Sequence, residues 1–208
     1  MYFLIEDKTS NSYSKALEIL KTHCPNFDSE IFMVDFEKSE HAAIRAHFPN
    51  SIIKGCLFHW DQCILRRFEK ISTYSENELL KCDLRAVFGL AFVPLGDVST
   101  AWSYIKTTLQ QYPETATFIT YFESTWLNSG AYPISMWNCY DSTLSDDART
   151  NNHPEGINNA LNTAAGCSSP TMPRLVDILE KFNAEAELKI HHTTTSSATP
   201  DPSETLQK

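Results

Sequence analysis

The sequence predicts an α/β fold with a small parallel sheet early in the chain and helices through most of the rest. Three observations carry this expectation. Apolar runs at residues 2–5, in EIFMVDF and in SIIKGC alternate with helix-patterned segments, an order that implies parallel strands joined by right-handed crossovers. From Leu57 onward, almost every segment spaces its apolar residues as a helix face does. The 208 residues, 42% hydrophobic and 21% charged, suffice for one domain with a real core, or one domain with appendages.

Each element follows in order. Residues 2–5 read as a short buried strand, an odd place to begin because such a strand needs neighbours on both sides. Ser10 or Asn11 can cap a helix running to about Thr22, with Ala16, Leu17 and Leu20 on its apolar face. EIFMVDF is a strand ending at Asp35. A helix over about 37–47 follows, closed by Pro49-Asn50, and SIIKGC is the next strand. FHWDQCILRRFEKI and ENELLKCDLRAVFGLAF are helical, the second stopped by Pro94. Asp97 can cap VSTAWSYIKTTL, and ATFITYFESTWL follows Pro113. AYPISMWNCYD mixes aromatics with turn formers and reads as a packed loop. A helix over about 154–165 comes next, then a last amphipathic helix with Leu175, Ile178, Leu179 and Phe182. After Ile190 the tail holds almost no apolar residues and cannot offset its ordering entropy, so it is expected to be disordered.

Composition excludes several functions. Glycine is scarce, with 6 residues, and no Gly-rich phosphate-binding motif occurs. The net charge of -9 repels nucleic acid overall, so any DNA contact needs a local basic patch, of which Arg66, Arg67 and Lys70 are the densest. The six cysteines are scattered, without C-x-x-C. The apolar start is too short for a signal peptide or a membrane span. A reducing intracellular setting and no membrane partner are therefore expected.

Three places could carry chemistry. Asp35 ends an apolar strand, where open α/β sheets put catalytic groups, although it could equally cap the following helix. Cys56, His59 and Cys63 share one helix face; zinc would need a fourth ligand, and a buried thiol beside a hydrogen-bonded histidine fits the same pattern. Glu155 opens a helix behind Arg149, Thr150, Asn151 and Asn152. It is either a first-turn carboxylate at the positive end of the helix dipole or a metal ligand held by that collar. A strand-end Asp and a helix-borne Glu are the arrangement that holds paired Mg²⁺ for phosphoryl transfer.

At this point the chain resembles a known family. VDFEKSEHAAIRAHFPNSIIKGCLFHWDQCILRRF, LAFVPLGDV, YFESTWL, YPISMWNCYD and RTNNHPEGINNALN look like the catalytic domain of Mutator-like element (MULE) transposases, in that family's order, from Met1 to about Phe182. The resemblance implies an RNase H-like core, partial because its first strands are missing, with a large all-helical insertion. On that pattern residues 1–72 form the partial core around Asp35 and 73–148 the insertion. Residues 149–190 are the core helices carrying Glu155, and 191–208 a disordered tail. It further implies a DDE-type site in which Asp35 and Glu155 are catalytic and hold Mg²⁺ or Mn²⁺. Cys56 and His59 match the family's C-x-x-H beside that site, with Arg149, Asn151 and Asn152 in support. DNA, as transposon ends, would be the partner and the nucleus the place of action.

Two departures matter. Gly156 is followed by Ile157 and Asn158, where the family has Trp-His. The triad's first aspartate, on the first strand, has no counterpart, since Glu6-Asp7 matches a helix entry, and no upstream zinc-finger region precedes Met1. The expectation is a fragment or domesticated relic of a DNA transposase with little or no catalysis, prone to self-associate through an open sheet edge. The rival reading is a non-enzymatic protein- or DNA-interaction module whose helical block offers Trp102, Tyr104, Tyr121, Phe122 and Trp126 as anchors, although core packing is the favoured reading of those aromatics.

Overall fold

The structure, a computed structural model, describes residues 2–150, 152–167 and 169–196; for 152–155 and 189–196 it describes the backbone alone. The chain divides into two compact units, one of residues 3–151 and one of residues 1–2 with 152–208.

In the first unit, helix α1 (Ser10–His23) begins at Thr9, whose hydroxyl accepts from the Ser12 amide at 3.3 Å. The cap is thus one residue earlier than the sequence suggested. Strand β1 (Ile31–Val34), helix α2 (Lys38–His47) and strand β2 (Ile52–Gly55) follow. The two strands pair in parallel, with Ile31 opposite Ile52 and Val34 opposite Gly55. Burial rises along both. Ile31 and Ile52 at the start are 52% and 56% exposed, while Val34 and Gly55 at the far end are buried. The Cys56 amide continues the ladder by donating to the Val34 carbonyl at 2.8 Å. Asp35 and Cys56 therefore leave the sheet side by side.

The expected RNase H-like core is contradicted. The described residues are mostly helical and contain two strands only, with no large sheet. Residues 2–5 do not form a strand. Their backbone has no strand beside it, and Tyr2, Phe3, Leu4 and Ile5 are exposed. A four-residue apolar run becomes a strand only when it pairs with an edge, and residues 2–5 pair with neither β1 nor β2.

Helix α3 (Leu57–Phe68) buries Trp60, Ile64 and Phe68, four residues apart, in the main core. Helix α4 (Glu78–Arg85), capped by Asn77, adds Leu80 and Leu84 and tightens into a 3₁₀ stretch at Ala86–Phe92. Helix α5 (Val98–Leu109) contributes Val98, Trp102 and Leu109. Helix α6 (Ala116–Phe122) contributes Phe118 and Phe122, and runs into a π-helical turn at Glu123–Leu127 that buries Trp126. Asp97 stands at the start of α5 without making a side-chain cap bond.

AYPISMWNCYD is not a simple loop. It holds two short helices, α7 (Ile134–Trp137) and α8 (Tyr140–Leu144), and buries Met136, Trp137, Asn138 and Cys139. The Asn138 amide donates to the carbonyls of Val93 at 2.8 Å and Leu90 at 3.4 Å, and the Cys139 amide to that of Ala91 at 2.7 Å. Trp137 stacks on Trp60, with ring centroids 4.9 Å apart at 8°. The motif blocks scattered along the sequence thus touch one another: FHW meets MWNCYD, which meets LAFV.

The second unit holds helix α9 (Asn152–Ala165) and helix α10 (Met172–Ser196), which pack on each other. Gly166, at φ 63°, ends α9 in the left-handed region that glycine tolerates. By backbone, residues 191–196 lie within α10; the rest of the expected disordered tail, residues 197–208, lies outside the described residues.

Gly55 shows how tightly the strand end is packed. A Cβ there would overlap the Phe36 ring, which stands edge-on to Trp126 at 4.9 Å and to Tyr132 at 5.6 Å. Gly55→Ala should destabilise by about 1–3 kcal/mol, as overpacking of a filled core does. Thermal unfolding checks this, and a melting point equal to that of the natural chain would show that Phe36 has room to move.

Candidate functional site at the strand end

The end of β1 gathers the polar groups. The Asp35 carbonyl accepts from Nε2 of His41 at 2.6 Å. His41 is fully buried on α2, and that burial, aided by Arg45, lowers its pKa, so a neutral ring donates this bond. One residue on, the Phe36 carbonyl accepts from the Tyr132 hydroxyl at 2.9 Å. The Glu37 carboxylate accepts from Tyr13 of α1 at 3.2 Å and lies 3.5 Å from Lys8. The turn from Asp35 to Glu37 is therefore fixed at every residue. Glu37, not Asp35, occupies the cap position of α2, so the helix-cap reading of Asp35 fails.

Side chains then converge. Nδ1 of His59, in the first turn of α3, lies 2.8 Å from Oδ1 of Asp35; the two side chains are 31% and 45% exposed. Cys56 is completely buried at the N-cap of α3, accepting at its carbonyl from the Trp60 amide at 3.0 Å. Within C-x-x-H the two residues thus divide the work: the thiol is structural and the imidazole reaches the strand end. Cys63 is half-buried, and that burial raises its thiol pKa.

The collar is only partly described. The Arg149 carbonyl accepts from the Leu57 amide at 2.9 Å, satisfying one of the unpaired amides at the start of α3 and bringing the RTNN segment to the helix of His59. Asn151 lies outside the described residues. Asn152 and Glu155 are in the first turn of α9 by backbone, and their side chains lie outside the described residues.

Two features were not foreseen. His41 was passed over, although a histidine on the inner face of a short helix six residues after Asp35 is the available signal. Glu40 was also missed. Its carboxyl is pushed up to about 7, first by burial and then by the charges of Asp35 and Glu37, against a smaller pull from Lys8. The same carboxylates, after burial, push Tyr13 up to about 12.

Mg²⁺ takes oxygen ligands, keeps several waters and is often held by only one or two carboxylates. Asp35 offers one such ligand: a half-exposed carboxylate on a fixed backbone, with Nδ1 of His59 2.8 Å away. Among the described residues no group of three or more His, Cys, Asp or Glu side chains could hold a metal ion. The described donors offer one carboxylate there and do not make a closed cage.

Comparison of the chain with protein-family models, with curated proteins and with solved structures finds no match. Among the described residues, no helix is long and apolar enough to cross a membrane.

Glu40 gives a testable pH dependence. Its folded pKa of about 7 exceeds the ordinary 4.5, so the folded state binds the extra proton between those values, and stability falls as pH rises through that window. Glu40→Gln should raise the melting temperature above pH 7 and leave it unchanged near pH 4. A variant no more stable at pH 8 than the natural chain would mean that the carboxylate is solvated.

Proposed function

We propose that the chain derives from the Mutator-like element transposases and keeps part of their phosphodiester-handling site. On that family's pattern Asp35 and Glu155 are the divalent-metal ligands, and DNA is the substrate. The observation that supports this reading is the 2.8 Å contact between Asp35 and His59, because it joins the strand-end acid to the C-x-x-H histidine beside it. In this reading His59 is a positioning residue that orients the Asp35 carboxylate, and His41 holds the backbone beneath it. On the same pattern Arg149, Asn151 and Asn152 belong to the support of that site. When bound, Mg²⁺ or Mn²⁺ supplies charge compensation for a phosphodiester oxygen. Two carboxylates by themselves hold such an ion weakly. A nuclear place of action follows from the same reading.

Mn²⁺ relaxation or calorimetry on the natural chain, Asp35→Asn and Glu155→Gln tests the shared site. Weak binding in the natural chain, lost in both variants, is expected; equal binding in all three rejects it. A supercoiled-plasmid nicking assay should show little or no Mg²⁺-dependent cleavage, and robust cleavage surviving Glu155→Gln would reject the assignment of the acids.

A second reading, a non-enzymatic module that self-associates, is favoured by one feature. The two-stranded sheet begins with exposed Ile31 and Ile52, and its outer edges have no strand partner among the described residues. The aromatic anchors first considered for such a module do not serve it, since Trp102, Phe122 and Trp126 are buried core residues and Tyr121 is half-buried; Tyr104 alone is exposed. Sedimentation should show concentration-dependent association that Ile31→Lys with Ile52→Lys abolishes. A strict monomer in the natural chain removes this reading.

A further inference from the structure

At the other end of α3 from His59, the helix carries Arg66 and Arg67, and Lys70 follows. The guanidinium carbon of Arg67 lies 4.1 Å from the centroid of the Tyr121 ring. Tyr121 is itself held, because its hydroxyl accepts from Nε1 of buried Trp126 at 3.1 Å. The guanidinium is therefore parked on a fixed platform and loses little freedom when a ligand arrives.

Arg67, Lys70, Ser72, Thr117 and Tyr121 line a cavity of about 340 Å³, within the range of small-ligand sites. The lining is rich in donors: a guanidinium, an ammonium and two hydroxyls. Its one carboxylate is Glu114, whose Oε1 accepts from Thr73 Oγ1 at 2.6 Å. That bond, with one from its own backbone amide, holds the Glu114 pKa below the usual carboxylate range. Among the described residues neither Arg67 nor Lys70 is ion-paired to a carboxylate. Two uncompensated cations facing one tethered carboxylate in a concavity reverse, locally, the sign of a chain whose net charge is -9.

We infer that this cavity is an anion site that takes a phosphate group. The planar fork of Arg67 pairs two phosphate oxygens, Lys70 adds a point charge, and the hydroxyls of Ser72 and Thr117 donate to what remains. Two carriers share that chemistry, a nucleic-acid strand and a small phosphate. The site is separate from Asp35, and the inference stands or falls without the metal reading.

The experiment compares the full chain, Arg67→Gln with Lys70→Gln, and Glu114→Gln. Two probes are used: a fluorescein-labelled single-stranded DNA oligonucleotide, followed by anisotropy across a salt series, and inorganic phosphate, followed by calorimetry. The double variant should weaken binding about tenfold or more, as loss of charge-assisted hydrogen bonds does. If DNA is the carrier, the slope of log affinity against log salt also falls by about 1, the share of one phosphate. Glu114→Gln keeps an acceptor for Thr73 while removing the opposing charge, so it should tighten binding. Unfolding cannot produce that gain. DNA binding that responds to the variants and is competed by inorganic phosphate assigns the strand as carrier. A response confined to inorganic phosphate assigns the small carrier. Binding of neither probe, or binding indifferent to all three substitutions, overturns the inference.

Discussion

The hydrogen bond from the Tyr132 hydroxyl to the Phe36 carbonyl, across 96 positions of sequence, is the contact on which the rest of the first unit depends. It ties the turn after β1 to the helical block. Tyr132 is stacked on Trp126 at 5.3 Å, and Phe36 stands edge-on to both. The two-stranded sheet is too small to be stable alone. What holds it is the aromatic seat beneath Phe36, with Val34, Ile44 and Met136 completing a small cluster. Removing the Tyr132 hydroxyl would leave a half-buried carbonyl short of a partner, a loss of roughly 1–3 kcal/mol. It would also loosen the one residue, Asp35, whose position gives the strand end its chemistry.

That strand end trades stability for charge. Glu40 is half-buried beside Asp35 and Glu37, whose charges outweigh the pull of Lys8, and an ionised carboxylate there costs folding energy at neutral pH. Sites that concentrate like charge are where a fold departs from its own stability rules. The cost is carried by the surrounding fixtures, with His41 below, Tyr132 alongside and His59 against the carboxylate itself.

Much of this was legible in the residues, and the failures have physical causes. The spacing of Trp60, Ile64 and Phe68 specified α3, and β-branched runs bounded by turn formers specified β1 and β2. Residues 2–5 were misread because an apolar run records hydrophobicity and not the presence of an adjoining edge, and the sheet expected to follow is a two-stranded one. Residue patterns alone gave Asp35 and His59 as separate candidates and only the family resemblance set them side by side, because their contact depends on the parallel register, which no local pattern encodes. His41 and Asn138 escaped because buried polar residues serving backbone carbonyls have no periodicity to betray them.

The Trp60 and Trp137 indoles, nearly coplanar in orientation and in van der Waals contact, behave as one chromophore. Their electronic transitions couple with a strength set by the separation and mutual orientation of the rings, so the coupling changes when either ring turns. One ring belongs to the helix of His59 and the other to the segment pinned by Asn138. The near-ultraviolet dichroism of this pair is therefore an internal gauge of whether those two parts of the chain are docked, readable without a label and separate from the helix content that dominates the far-ultraviolet signal.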